Sequence, residues 1–236
     1  MNNSTIKILF YAINGRGLGH LSRLLALARS TNKLLTALEL KVDIQFITTS
    51  EASEIVWDFV TYKIPSKTIF SETGKSKRDY MANSKYLISN IIANFNPDIL
   101  VLDTVPEGAY QEFFFIKDYA KKTVFIDRHK NLLFSESSTH QAHLTLYDLI
   151  LVPDYIAEKD RYPIPEIAKA KRKFIEPVHN FDETEALTKE EVRNMFDVPL
   201  YQKIIYISAG GGGDRKAGQN LRVIIEALSA DNCYLF

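Results

Sequence analysis

The sequence predicts an α/β fold: a doubly wound parallel sheet in its N-terminal part, followed by an incomplete start of a second domain of the same kind. Three observations carry that expectation. Short apolar runs ("IKILFYAI", "VDIQFIT", "NPDILVLDT", "KTVFID", "DLILVPD") alternate with longer stretches at helical spacing. The first, "IKILFYAI", reads as a short continuous apolar run, as a strand covered on both faces would. A strand, a glycine-rich turn and a helix follow one another twice, near residues 15 and 210. Strand–helix–strand at this interval implies right-handed crossovers and parallel pairing.

Taken in order, 6–13 reads as a buried strand, and "LSRLLALARSTNKLLTAL" (21–38) as a long helix with leucines at helical spacing. Residues 42–48 are the next strand, and 50–60 a helix capped by Ser50. Segment 61–75 reads mostly as loop, with a short strand near Thr68–Phe70. A helix over 76–95 precedes a strand introduced by a proline turn at 96–104, then a helix over 109–120. A strand (122–127), a helix (138–147) and a further strand (148–154) complete a first domain assigned to 1–157. Residues 158–199 are charged, carry prolines and hold no long apolar run. They read as a linker region with one short strand, "KFIEP", and a helix at "TKEEVRNMF" capped by Thr188. A strand at 202–209, a helix at "NLRVIIEALSA" and a strand at "NCYLF" then begin a second α/β domain over 200–236. About 35 residues cannot close such a core alone, so the reading is of a truncated or partner-dependent second domain.

Composition narrows the function classes. Apolar residues make up 46% and charged residues 25%, as in an ordinary globular protein. The 29 basic and 29 acidic side chains cancel, which argues against a dedicated nucleic-acid binder. One cysteine, Cys233, permits no disulfide framework or cysteine zinc site and fits a reducing cytoplasmic setting. The first residues lack a signal peptide's basic start and apolar core, and no run reaches the ~18 apolar residues of a membrane span. Peripheral membrane contact stays open.

The first glycine turn, "NGRGLGHLSR", follows a strand and opens a helix. Unpaired amides and the positive dipole end suit a phosphate or carboxylate there. A dinucleotide fingerprint fails, because His20 stands where its third glycine belongs and "TTSE" offers only a late acidic residue, Glu51. "TGKS" at 73–76 fails as a phosphate loop of the other common kind, lacking the upstream glycine. A plain strand–helix turn with an incidental histidine is the structural alternative. In "SAGGGGD" (208–214) four consecutive glycines suggest close backbone approach to a ligand or a tight junction. Asp103 and Glu107, in "DTVPEGAY", stand at a strand's carboxyl edge, where open α/β sheets collect ligands; helix capping is an equal alternative. Arg128, in "IDRHKN", has the geometry to hold a phosphate or to pair with Asp103 or Asp127. His140 and His143 are spaced as a metal pair, but no third ligand stands at a sensible spacing, so no metal site is expected. "EFFFIK" reads as core.

Together the "GxGLGHLSR" turn, the strand end "PDILVLDTxPxG" and "IIYISAGGGG" resemble the two-domain (GT-B type) glycosyltransferases that add N-acetylglucosamine to a lipid-linked peptidoglycan precursor, and an uncharacterised group of predicted glycosyltransferases in that superfamily. The resemblance runs from about residue 6 to 230. It implies two Rossmann-like domains facing a cleft, the first for the acceptor and the second for a nucleotide sugar, a UDP-sugar foremost. It implies His20 as the general base. It places Gly15, Arg16, Gly17, Gly19, Ser22, Arg23, Asp103, Glu107 and Arg128 about the acceptor or the phosphates. It places Ser208, Gly210, Gly211, Gly212 and Gly213 at the donor diphosphate. No metal and no cofactor are implied. "PEGAY" carries one glycine where the family has a second glycine loop, which departs from a lipid-diphosphate acceptor. The family's later donor-binding segments have no counterpart here, so the chain alone is expected to have little or no transferase activity. Two alternatives stand beside transfer: a non-catalytic acceptor-binding subunit that pairs with a separate donor-domain chain, and a nucleotide-sugar epimerase-like protein. A nicotinamide oxidoreductase is opposed by His20 and "TTSE".

Overall fold

The computed structural model describes residues 4–13, 17–74, 76–179, 186–208, 216–228 and 233–235. The chain divides into two compact units, one of Met1–Gly15 with His20–Asn180 and one of Arg16–Gly19 with Phe181–Phe236.

In the first unit seven strands form one sheet: β1 (Ile6–Ala12), β2 (Val42–Thr48), β3 (Val60–Lys63), β4 (Ile99–Asp103), β5 (Lys122–Ile126), β6 (Leu149–Pro153) and β7 (Arg172–Ile175). Their order is β3-β2-β1-β4-β5-β6-β7, and every neighbouring pair is parallel. The helices of this part of the chain are α1 (Gly19–Ala37), α2 (Lys67–Glu72), α3 (Lys77–Phe95), α4 (Phe113–Ile116), α5 (Leu132–Ser135) and α6 (Ser138–Leu144).

Side-chain alternation along β1 builds both layers. Ile8, Phe10 and Ala12 pack with Leu21, Leu24, Leu25 and Ala28 of α1. Leu9 and Tyr11 point the other way and pack with Ile88 and Ile92 of α3. The stretch Ile8–Ala12, apolar at every position, is therefore buried on both faces. Ser76 caps α3 by accepting from the Asp79 amide, and Asn96, at φ 49°, ends it in the left-handed region that asparagine tolerates. The strand order reverses between β1 and β4, which opens a crevice at their carboxyl ends. Ala12 and Asp103 are the last residues of those two strands.

Several expectations are corrected here. Residues 50–60 do not form an α-helix: one 3-10 turn covers Ser53–Val56, and the chain then enters β3. Residues 61–75 are not mostly loop, and Thr68–Phe70 lies within α2 rather than in a strand. β3 is a sheet edge and largely exposed, so its sequence carries no apolar run; pairing with Gln45–Thr48 of β2 fixes it instead. The helix expected over 109–120 shrinks to α4 and a 3-10 turn at Lys117–Tyr119. Gly108 and Gln111 have φ of 84° and 59°, so the backbone leaves helical space just before it. "EFFFIK" is core only in part, for Phe113 is buried while Phe114 and Phe115 are exposed. The short strand expected within 158–199 exists as β7 and completes the first sheet against β6.

The second unit contains α7 (Lys189–Met195), β8 (Lys203–Ile205), α8 (Ala217–Leu228) and β9 (Cys233–Leu235), with β8 and β9 parallel. Thr188 caps α7 through a reciprocal pair with Glu191, as expected from the sequence. Leu200, Tyr201, Tyr206, Val223, Ile224 and Ile225 are exposed. Among the described residues no helix is long and apolar enough to cross a membrane.

Candidate functional site at the sheet switch point

Four side chains meet at the switch-point crevice: His20 and Arg23 from the first turn of α1, Asp103 from the end of β4, and Thr104 just beyond it. A spacing of three residues puts His20 and Arg23 on one side of α1. Leu21, Leu24 and Leu25 anchor the helix to the sheet. Asp103 is fully buried, and His20 and Arg23 each keep 19% of their side-chain surface exposed. Arg23 Nη2 lies 2.8 Å from each Asp103 carboxylate oxygen. Thr104 Oγ1 donates to Asp103 Oδ1 at 2.9 Å. His20 Nδ1 is 3.2 Å from Asp103 Oδ2 and 2.8 Å from Thr104 Oγ1.

The neighbours of Nδ1 are two oxygens and one guanidinium nitrogen. The single Thr104 hydroxyl proton goes to Asp103, so the hydroxyl oxygen offers His20 a lone pair. The carboxylate oxygen beside Nδ1 is also an acceptor. Arg23 Nη2, a donor, also lies 3.3 Å from Nδ1; in the tautomer that directs Nδ1–H at Asp103, Nε2 keeps its lone pair free to take a proton. Burial alone would raise the Asp103 carboxyl, but the His20 hydrogen bond and the Arg23 charge outweigh it and hold the group below the usual carboxylate range. Asp103 is thus an anion that orients His20 and would stabilise an imidazolium. Thr104 adopts φ 70°, a left-handed conformation unusual for a β-branched residue, so the backbone is strained where the hydroxyl is presented.

The other predicted residues fall as follows. Gly17 lies in the turn that leads into α1, and Gly19 is the first residue of that helix. A Cβ at Gly19 would enter open space, so neither crowding nor backbone conformation demands glycine there. Ser22 is half-buried in α1. Glu107 is half-buried on the loop after β4, and its Oε2 is buried without a hydrogen-bond partner. Arg128 is exposed and pairs with neither Asp103 nor Asp127. Asp127 instead forms a buried ion pair with Lys130. Burial pushes the Asp127 carboxyl up and the Lys130 amine down, each opposed by the partner's charge. His140 is buried against Phe134, and burial takes its pKa down to about 4. His143 contacts the Thr139 carbonyl through Nδ1. Among the described residues no group of three His, Cys, Asp or Glu is placed to hold a metal. Ser208 is exposed beyond β8. Gly15, Arg16 and Gly210, Gly211, Gly212 and Gly213 lie outside the described residues.

Sequence reasoning missed Thr104 and a buried network beneath the same loop. Glu112 is fully buried, accepts from the Tyr110 amide at 2.7 Å and takes a hydrogen bond from the Tyr11 hydroxyl. Burial pushes its carboxyl up, against those hydrogen bonds. Gly108, at φ 84°, makes room: a Cβ there would lie 2.5 Å from Glu112 Cδ. The lone glycine of "PEGAY" is thus explained by a buried carboxyl. The spacing Gly108–Glu112 was the available signal, but nothing in it shows that Glu112 turns inward.

No protein-family model and no curated protein sequence matches the chain. Solved structures do. A glycosyltransferase from Rickettsia africae is 13% identical, with a TM-score of 0.60 over 99% of this chain and 68% of its own. A UDP-GlcNAc 2-epimerase from Neisseria meningitidis, bound to UDP-GlcNAc, is 13% identical, with a TM-score of 0.60 over 98% of this chain and 65% of its own. MurG from Acinetobacter baumannii is 10% identical, with a TM-score of 0.54 over 98% of this chain and 60% of its own. The chain therefore spans about two thirds of the length of these structures. At such identity the likeness shows the fold, the GT-B type of α/β architecture.

Proposed function

We propose that the protein serves the transfer of a sugar from a nucleotide-sugar donor, a UDP-sugar foremost, to a hydroxyl acceptor, with His20 as the general base. The observation that carries the reading is the pairing of His20 with Asp103 at the switch point; Nδ1–H directed at Asp103 would leave Nε2 to take a proton. The likeness to a glycosyltransferase and to an epimerase bound to UDP-GlcNAc supports it through the fold.

In the proposed step the acceptor hydroxyl gives its proton to His20 Nε2. Its oxygen bonds to the anomeric carbon while the bond from that carbon to the nucleoside diphosphate breaks, and the diphosphate leaves with the electron pair. Asp103 stabilises the imidazolium through Nδ1–H, and Arg23 keeps Asp103 ionised. Gly15, Arg16, Gly17, Gly19, Ser22, Glu107 and Arg128 are proposed to border the acceptor or the phosphates. Ser208 and Gly210–Gly213 are proposed to face the donor diphosphate, where backbone amides suit an anion.

Two observations keep other readings in view. The fold likeness includes UDP-GlcNAc 2-epimerases. The second unit by itself leaves Leu200, Tyr201, Tyr206 and Val223 in solvent, which suits an acceptor-binding subunit completed by a separate donor domain. The test is to incubate the protein, alone and completed with a full donor domain, with UDP-GlcNAc or UDP-glucose, with and without sugar and lipid hydroxyl acceptors, and to identify products by NMR. Acceptor-dependent glycoside and free UDP support transfer. Inversion at C2 of UDP-GlcNAc without acceptor supports epimerisation and overturns the proposal. Acceptor binding without any donor binding, measured by calorimetry, supports the subunit reading.

A further inference from the structure

A hollow of about 420 Å³ opens between α2 and α3, lined by Lys67, Phe70, Ser71, Lys77, Tyr80 and Met81. Its size falls within the range of small-molecule sites. Phe70 and Tyr80 stack with ring centroids 4.2 Å apart and planes 24° apart, so the wall is a paired aromatic surface. The Tyr80 ring is held from behind: its hydroxyl donates to the Pro65 carbonyl at 2.6 Å and meets the Tyr110 hydroxyl at 2.6 Å. Met81 adds a polarizable side chain that adapts to a guest's shape. Two of the lining residues, Lys67 and Lys77, are cations. Lys67 Nζ lies 5.8 Å from the Tyr110 ring centroid, and both Lys67 and Lys77 are exposed. Among the described residues neither is within ion-pair distance of a carboxylate, whereas Lys63 nearby pairs with Glu51.

We propose that this hollow binds a ligand with a planar apolar body and one terminal anion, an aryl phosphate or aryl carboxylate. The flat body lies against the Phe70–Tyr80 wall and Met81, where it is desolvated. The anion stays at the rim between Lys67 and Lys77, half in water, where a flexible ammonium reaches it without being buried. Neither part alone accounts for the site. The apolar wall would accept any hydrocarbon, and two surface lysines would attract any anion; their juxtaposition selects a molecule that is both. The proposal goes beyond sugar transfer and does not depend on the state of His20.

The test uses 2-naphthyl phosphate, 2-naphthoate, 2-naphthol and inorganic phosphate as probes, titrated into isotope-labelled protein and followed by amide NMR. Both naphthyl acids are expected to bind with shifts centred on residues 66–81 and Tyr110. Inorganic phosphate is expected to bind at least about a hundredfold more weakly, and 2-naphthol to bind weakly and without salt dependence. Reversing the rim charges in a Lys67→Glu, Lys77→Glu double variant should weaken both acids about tenfold and leave 2-naphthol unchanged. Filling the hollow with Met81→Trp should weaken both acids and the naphthol. Whichever acid binds tighter names the anion. The proposal is overturned if neither acid binds at millimolar concentration, if the double variant binds them as the wild type does, or if their shifts centre on residues 17–23 and 103–104. The rim lysines are exposed, so the double variant tests charge without disturbing the core.

Discussion

Replacing Thr104 by valine removes one hydroxyl and little volume. That hydroxyl donates to Asp103 Oδ1 at 2.9 Å and faces His20 Nδ1 at 2.8 Å. A hydrogen bond to a charged partner contributes roughly 1.5–3 kcal/mol. Asp103 keeps both contacts from Arg23 at 2.8 Å, so the expected loss of stability lies at the low end, about 1–2 kcal/mol. The larger effect should fall on the imidazole. Its Nδ1–H keeps only the longer 3.2 Å contact with Asp103, so the ring's preference for that tautomer weakens. Urea unfolding reads the first effect, and 15N NMR of labelled His20 reads the second. In the wild type the two ring nitrogens should show a protonated Nδ1 and an unprotonated Nε2. In Thr104→Val the two should move toward each other, and Thr104→Ser should restore the wild-type pattern. The assignment of Thr104 to ring orientation fails if the valine variant keeps the wild-type nitrogen shifts while losing the same stability.

Further outcomes follow from the same geometry. Gly108→Ala combines φ 84° with a Cβ 2.5 Å from Glu112 Cδ; the left-handed backbone and the displaced buried carboxyl together should cost about 2–4 kcal/mol in urea unfolding. Asp103→Asn leaves Arg23 without its carboxylate and should cost about 3–5 kcal/mol at neutral pH. Because the folded Asp103 carboxyl is held below its ordinary value, its stabilisation is present above pH 4 and lost as pH falls through the folded value. The gap between wild type and variant should therefore narrow in acid. His140 behaves alike for a different reason: its folded pKa of about 4 lies below 6.5, so the unfolded chain binds its proton first. Wild-type stability should fall from pH 6.5 toward pH 4, and His140→Gln should reduce that slope in pH-dependent unfolding.

How far the sequence could be read depended on whether a feature was local. β2 is predicted to its ends, and β1 and α3 to within a residue or two, because their apolar periodicity and caps lie in the segment itself. β3 is not legible, since an exposed edge strand is defined by its partner β2. The site shows the same division. His20 and Asp103 each stand out, one for its place in a glycine turn and the other for ending an apolar strand. Their pairing needs the adjacency of β1 and β4, which is a property of strand order. The cations were misassigned for the same reason: Arg128 is near Asp127 in sequence, but the partners are Arg23 for Asp103 and Lys130 for Asp127. The φ of Thr104 and the inward turn of Glu112 have no signature in residue type at all.

The central claim is that His20 takes a proton from an acceptor hydroxyl. It is tested most directly by acceptor-dependent release of UDP from a UDP-sugar, measured for the wild type and His20→Ala at equal folded concentration, each in an enzyme completed with a full donor domain. The account predicts a fall of about 10²–10⁴-fold. Turnover within a few-fold of the wild type would contradict it and leave His20 as a packing residue of the turn.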